Sequence, residues 1–161
     1  RLKGSGETKT IGVVVDADVS IKSRWQQIRD ILVKSNLYAD IPEESPSDGL
    51  ILTPINPDDI KIGIWIMPDN NSSGMLEDFA AFLIPDQDCL LPEVDKTLAD
   101  IESKGLNRYK PIHHSKARIH TWLAWQEDPG TPMGLAITKK YLTVTPHICQ
   151  AFVDWLNNLF N

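Results

Sequence analysis

Two short hydrophobic runs, each ending on acids, constrain this chain most. Residues 11–15 read Ile-Gly-Val-Val-Val and lead directly into Asp16-Ala17-Asp18. Residues 62–67 read Ile-Gly-Ile-Trp-Ile-Met and pass through Pro68 to Asp69 and Asn70. Runs of this length, rich in Val and Ile and without alternation, suit strands covered on both faces, as in the parallel sheets of α/β proteins. The first run therefore predicts a central strand. In open parallel sheets ligands bind in the crevice beyond the carboxyl ends of the strands, which is where both acid groups fall.

The segments between fit this frame. Residues 20–37 carry Ile21, Trp25, Ile28, Ile31 and Leu32 at helical spacing, so strand then helix forms a βα unit. Residues 49–56 (GLILTPIN) give a short strand that Pro54 places at a sheet edge. A Ser/Asn/Gly loop then opens a helix from about Gly74, with Ser72 or Ser73 as its cap and Glu77 and Asp78 in its first turns. Residues 94–104, 115–126 and 146–160 are further amphipathic helices, and residues 130–134 break the chain. The expected fold class is α/β, a parallel sheet flanked by helices. With 161 residues and 42% apolar composition, one domain spanning 1–161 is expected.

Charge and cysteine content narrow the function. A net charge of −6 argues against sequence-independent nucleic-acid binding through a broad basic surface. It is compatible with an acidic site that reaches phosphates through a divalent cation. No run approaches the roughly 18 apolar residues of a membrane span, and the polar opening RLKGSGETKT lacks the apolar middle of a secretion signal, so no membrane partner and a cytoplasmic setting are expected. Cys89 and Cys149 lie 60 residues apart without metal-type spacing and read as inert packing residues.

In a strand, residues two apart point to the same side, so Asp16 and Asp18 converge if the strand persists that far. Carboxylates held close repel unless a proton or cation neutralises them, and Mg²⁺ takes a few such oxygens plus waters. The ordinary alternative is that Asp16, Asp18 and Asp69 are caps or turn formers, and that Glu77 and Asp78 only complement a helix dipole. His113, His114 and His120 lack ligand spacing and read as surface or packing residues. Trp122 and Trp125 read as core or as contacts in a homo-oligomer. GSGETKT imitates a phosphate-binding loop weakly, since it precedes a strand and not a helix.

The pattern VVVDADVS, then WIMPDN, then GMLEDF resembles the Toprim domain, in particular Toprim-related proteins of unknown function akin to the overcoming-lysogenization-defect nucleases. The likeness covers most of the chain, and KARIHTWLAWQEDPGTPMGLAI is similar to that family's later segment. The resemblance implies a Toprim/Rossmann-like sheet and Mg²⁺-dependent (or Mn²⁺-dependent) phosphodiester chemistry on nucleic acid. It assigns Asp16 and Asp18 to the metal, matches Glu77 to a later catalytic or ligating acid, and leaves Asp69 as a further ligand. Lys116 is similar to a lysine used near the phosphate. One departure stands out: the acid before the Asp pair is Glu7, in a loop, where Toprim domains have a Glu ending an earlier strand. The reading that follows is that a strand-helix segment preceding residue 1 was omitted, or that the chain is a non-catalytic metal- or nucleotide-binding relative. A receiver-like phosphoacceptor domain is the remaining alternative, with Asp69 and the Lys110-Pro111 pair in the order such domains use.

Overall fold

The structure, a computed structural model, describes residues 9–161; Glu7 and the start of the GSGETKT loop lie outside the described residues. In chain order the elements are β1 (Thr10–Asp16), α1 (Ile21–Ser35), β2 (Leu50–Leu52), β3 (Lys61–Met67), α2 (Leu76–Phe82) and α3 (Leu90–Ser103). A 3-10 turn (Pro111–His113), α4 (His114–Ala124), α5 (Met133–Thr138) and α6 (His147–Phe160) follow. They divide into two compact units: Arg1–Met75 with Gln150–Asn161, and Leu76–Cys149.

The first unit holds a sheet in the order β1-β3-β2. β1 and β3 pair in parallel from Thr10 opposite Lys61 to Asp16 opposite Met67. A parallel pair requires a crossover, and α1 lies on that connection. β2 pairs antiparallel with the other side of β3. The chain is thus α/β, but the sheet among the described residues is mixed. β2 takes the edge position expected from Pro54, which forms an isolated bridge with Tyr38 just beyond the strand.

The expectation of a central β1 is corrected among the described residues, and its cover on the α6 face is partial, with Gly12 beneath Leu159. β3 is the central strand, with residues 63–67 buried, while β1 has one strand neighbour among the described residues and Val14 is 45% exposed. Both runs have strand composition; composition does not say which strand has two neighbours.

Strand alternation decides which helix covers which face. Val13, Val15, Ile62, Ile64 and Ile66 pack with the α1 residues Trp25 and Leu32 and with Ile21 and Ile28. Ser20 caps α1 by accepting from the Ser23 amide at 3.2 Å, and Asn36 closes it in the left-handed region. Ile31, read as part of the apolar stripe, lies off it and is 69% exposed. The opposite face of the sheet carries α6. A Cβ at Gly63 would stand 2.5 Å from Leu159 Cδ2 and 3.0 Å from the Trp155 ring, so the missing side chain is what lets α6 approach. Trp155 Nε1 donates to Leu50 O at 3.1 Å, Lys61 Nζ donates to Leu159 O at 2.7 Å, and Trp65 packs edge-on against Phe152.

The second unit is helical among its described elements. α3 begins at Leu90, earlier than the expected residue 94, because Asp88 Oδ1 accepts from the Leu90 and Leu91 amides and Pro92 is tolerated in a first turn. Asp88 also accepts from Trp122 Nε1 at 3.1 Å, which ties α4 to the start of α3. Ile119, Trp122 and Leu123 are buried in α4; Trp125 is exposed beyond its end. α5 occupies part of the expected break and is too short to have shown periodicity. α2 begins at Leu76, two residues beyond the expected Gly74, and the Ser72 and Ser73 hydroxyls donate to Asp69 Oδ2 and to Val19 O. Both cysteines are free thiols; Cys149 is buried but Cys89 is exposed, so a packing role fits only the former. No helix of the described residues is long and apolar enough to cross a membrane.

Gly63→Ala is expected to cost about 1–3 kcal/mol through overpacking against Leu159 and Trp155. The check is a lower urea midpoint with an unchanged slope. Gly134→Ala, in α5 with open space at the Cβ position, is the matched control and should be neutral or slightly stabilising.

Candidate functional site

Because β1 and β3 are parallel and end in register, the chain leaves both at the same edge of the first unit. The two exits are laced together. Ala17 N donates to Met67 O at 3.1 Å, and Asp18 and Gly74 exchange two backbone hydrogen bonds of 2.8 Å. Ser73 Oγ adds a bond to Val19 O at 3.1 Å. Asp16, Asp18 and Asp69 all belong to this laced pair of exits.

Each acid is held differently. β1 stops at Asp16, and Asp18 has φ of 54°, so the two-residue alternation that would align the pair does not extend to Asp18. The pairing with Gly74 sets the position of Asp18 instead. Its carboxylate forms an ion pair with Arg24, whose Nε donates to the Asp16 carbonyl at 2.7 Å and whose Nη1 donates to Gln27 Oε1 at 3.2 Å. Arg24 escaped the sequence reading. Its signal was a cation one turn into the helix that follows the Asp pair, a common enough placement to carry little weight alone.

Asp69 acts as a turn former. Its Oδ1 accepts from the Asn71 and Ser72 amides at 3.0 and 2.6 Å, and its Oδ2 accepts from the Ser72 hydroxyl at 2.9 Å. Asn70, 2% exposed and at φ 61°, braces the loop: its Oδ1 accepts from Ile66 N at 2.7 Å and its Nδ2 donates to Ser47 O at 3.2 Å. A cavity of about 330 Å³ opens beside this loop, lined by Ile21, Lys22, Trp25, Glu43, Asn70 and Asn71 among others.

Glu77 and Lys116 belong to the second unit, where they meet as an ion pair of 3.1 Å. The Glu77 side chain is 8% exposed and the Lys116 side chain 52% exposed, so a buried carboxylate is neutralised from the solvent side. Lys110 lies before the 3-10 turn and not at a strand end, which leaves the receiver-like reading without the strand that would present its lysine.

A divalent ion such as Mg²⁺ requires hard oxygen donors. Among the described residues no three His, Cys, Asp or Glu side chains stand together as a ready-made cage. Mg²⁺ is commonly held by one or two carboxylates with waters and substrate phosphates completing its shell. The carboxylates of Asp16 and Asp18, both at the exit of β1, fit that pattern in kind.

Elsewhere in the second unit, Glu102 Oε1 meets both the Tyr109 hydroxyl and His114 Nδ1 at 2.8 Å, and those two contacts hold its carboxyl below the usual range. His114 thus has a surface partner, while His113 and His120 are exposed. Arg118 grips Asp95 through Nε at 2.5 Å and Nη2 at 2.9 Å. These bonds lower the Asp95 pKa, against the opposing effect of burial. A depressed folded-state pKa stabilises the fold above the ordinary carboxylate value, and the gain is lost as pH falls through the folded value. Asp95→Asn should therefore destabilise by roughly 0.5–1 kcal/mol at pH 7, a partly exposed pair being screened by solvent. The difference in thermal midpoint from the parent should shrink once pH drops below about 4; a difference constant with pH would refute the assignment.

No curated protein and no solved structure matches the chain. A family profile described as a protein of unknown function, DUF3226, matches residues 1–161, and the chain belongs to that family.

Proposed function

We propose that this chain is a Toprim-like domain for Mg²⁺-dependent phosphodiester chemistry on nucleic acid, with Asp16 and Asp18 holding the metal. The observation that carries the reading is the junction of the two exits: in-register parallel strands deliver Asp16 and Asp69 to one sheet end, and the Asp18–Gly74 pair ties the loops together. When bound there, the ion would polarise a phosphodiester and lower the pKa of a coordinated water.

The chain's own residues would do the rest. Asp16 and Asp18 supply the hard anionic oxygens. Asp69, committed to its own loop amides, would act by holding that loop in shape, and as a ligand through water. Glu77 and Lys116 stay in the proposal on the resemblance alone, as an acid or base and as a cation for the phosphate. The parallel Rossmann-like sheet of a Toprim fold belongs to the same proposal, supported by the β1-α1-β3 crossover. Two free thiols are in keeping with a reducing, cytoplasmic setting.

A specific observation favours a second reading, a non-catalytic metal- or nucleotide-binding module. The cavity beside Asn70 offers a buried indole, a lysine and an amide side chain, the mixture of apolar wall and a few polar groups that small ligands use.

Titrating Mn²⁺ or Mg²⁺ into the protein by calorimetry should give binding that disappears in Asp16→Asn/Asp18→Asn. A metal-dependent cleavage assay on single- and double-stranded DNA and RNA should give activity lost in the same variant and in Glu77→Gln. Metal binding without cleavage of any of these would favour the binding module. No binding by the folded parent would refute the metal site.

A further inference from the structure

We infer that Arg24 is a built-in counter-ion for the acid pair: its guanidinium holds the Asp18 carboxylate until a divalent cation displaces it, and so sets the affinity of the site. The inference rests on the metal reading above. It starts from three bonds made by one side chain. Arg24 Nε donates to the Asp16 carbonyl at 2.7 Å, its Nη2 pairs with Asp18 Oδ2, and its Nη1 reaches Gln27 Oε1 at 3.2 Å. The guanidinium therefore spans the Asp16–Asp18 step, touching backbone at one residue and carboxylate at the other.

The two ends of this contact differ. The Nε bond goes to a backbone carbonyl at the end of β1, a group that a cation bound to the carboxylates does not need. The Nη2 bond occupies a carboxylate oxygen that such a cation does need. The side chains of Arg24 and Asp18 are 32% and 40% exposed, so their pairing is solvent-screened and weak enough to exchange. A guanidinium is also fixed in its charge at any ordinary pH, so the site is neutralised by a permanent partner and not by a proton. In the divalent-bound state Asp18 gives up Nη2, Nε and Nη1 keep Arg24 at the rim, and the freed Nη2 can donate to a single phosphate oxygen.

A merely structural Arg24 would behave otherwise. Its removal would lower stability and leave metal affinity unchanged or reduced, because the Asp18 loop would loosen. A competing counter-ion predicts the opposite sign for affinity.

The test is Mn²⁺ calorimetry on the parent, Arg24→Gln and Arg24→Lys, with circular dichroism establishing that each is folded. Arg24→Gln should bind Mn²⁺ about two- to fivefold more tightly, the scale of an exposed charge pair, and Arg24→Lys should fall between it and the parent. Equal or weaker binding by Arg24→Gln, with the parent binding normally, overturns the role of Arg24 and leaves the metal site standing. Absence of binding in parent and variants alike overturns both. Nitrogen-15 NMR of the unmodified protein covers the case of misfolded variants. On adding Mg²⁺, the Arg24 Nε–H signal should shift while its hydrogen stays slow to exchange; an unperturbed signal in a protein that binds the ion refutes the displacement.

Discussion

The parallel ladder between β1 and β3 is the interaction on which the first unit depends. It fixes the level at which both strands end, because the pairing runs without a slip from Thr10–Lys61 to Asp16–Met67. A slip of β1 by one residue against β3 would turn Val13 and Val15 away from α1 and move Asp16 off the level of Met67. The same pairing therefore builds the core and places the acids, so the candidate site inherits the stability of the sheet.

The two faces of that sheet are filled by opposite means. Toward α1 it presents branched side chains that interlock with Trp25 and Leu32. Toward α6 it presents Gly63 beside the buried Trp65, so that Leu159 and Trp155 come close to the backbone, Trp65 packs on Phe152 and Trp155, and Trp155 can reach the Leu50 carbonyl. Beyond the strand ends, regular pairing gives way to shorter devices: a two-bond bridge at Asp18 and Gly74, an Asp69 turn and a buried Asn70 brace. Asp69 and Asn70 look alike in a list of polar residues after a strand, yet one crosslinks its loop at the surface and the other satisfies buried backbone.

The second unit relies on polar ties between helices. Asp88 serves α3 and Trp122 together, Arg118 joins α4 to Asp95 of α3, and Lys116 neutralises the buried Glu77 of α2. Short helices bury too little apolar surface to hold themselves in place, and these bonds set how they lie against one another within the unit. Glu77 and Lys116 were singled out separately in the sequence by a likeness of motif. Their meeting at 3.1 Å is a fact of this unit's packing, whatever chemistry they serve.

Much of the secondary structure could be read from residue order, because its causes are local. Val and Ile runs marked β1 and β3, the Ile21-Trp25-Ile28-Leu32 spacing marked α1, and Pro54 marked β2 as an edge. The acids after both strands were equally plain as candidates. The rank of β1 and β3 in the sheet was not legible, since strand composition is the same with one neighbour or two. Nor was the left-handed turn at Asp18, which depends on a partner, Gly74, far along the chain. Arg24 on Asp18, Asp88 beneath Trp122 and Lys116 on Glu77 likewise arise only when distant segments pack. Local propensity is written in neighbours along the chain; charge pairing and strand order are settled by neighbours in space.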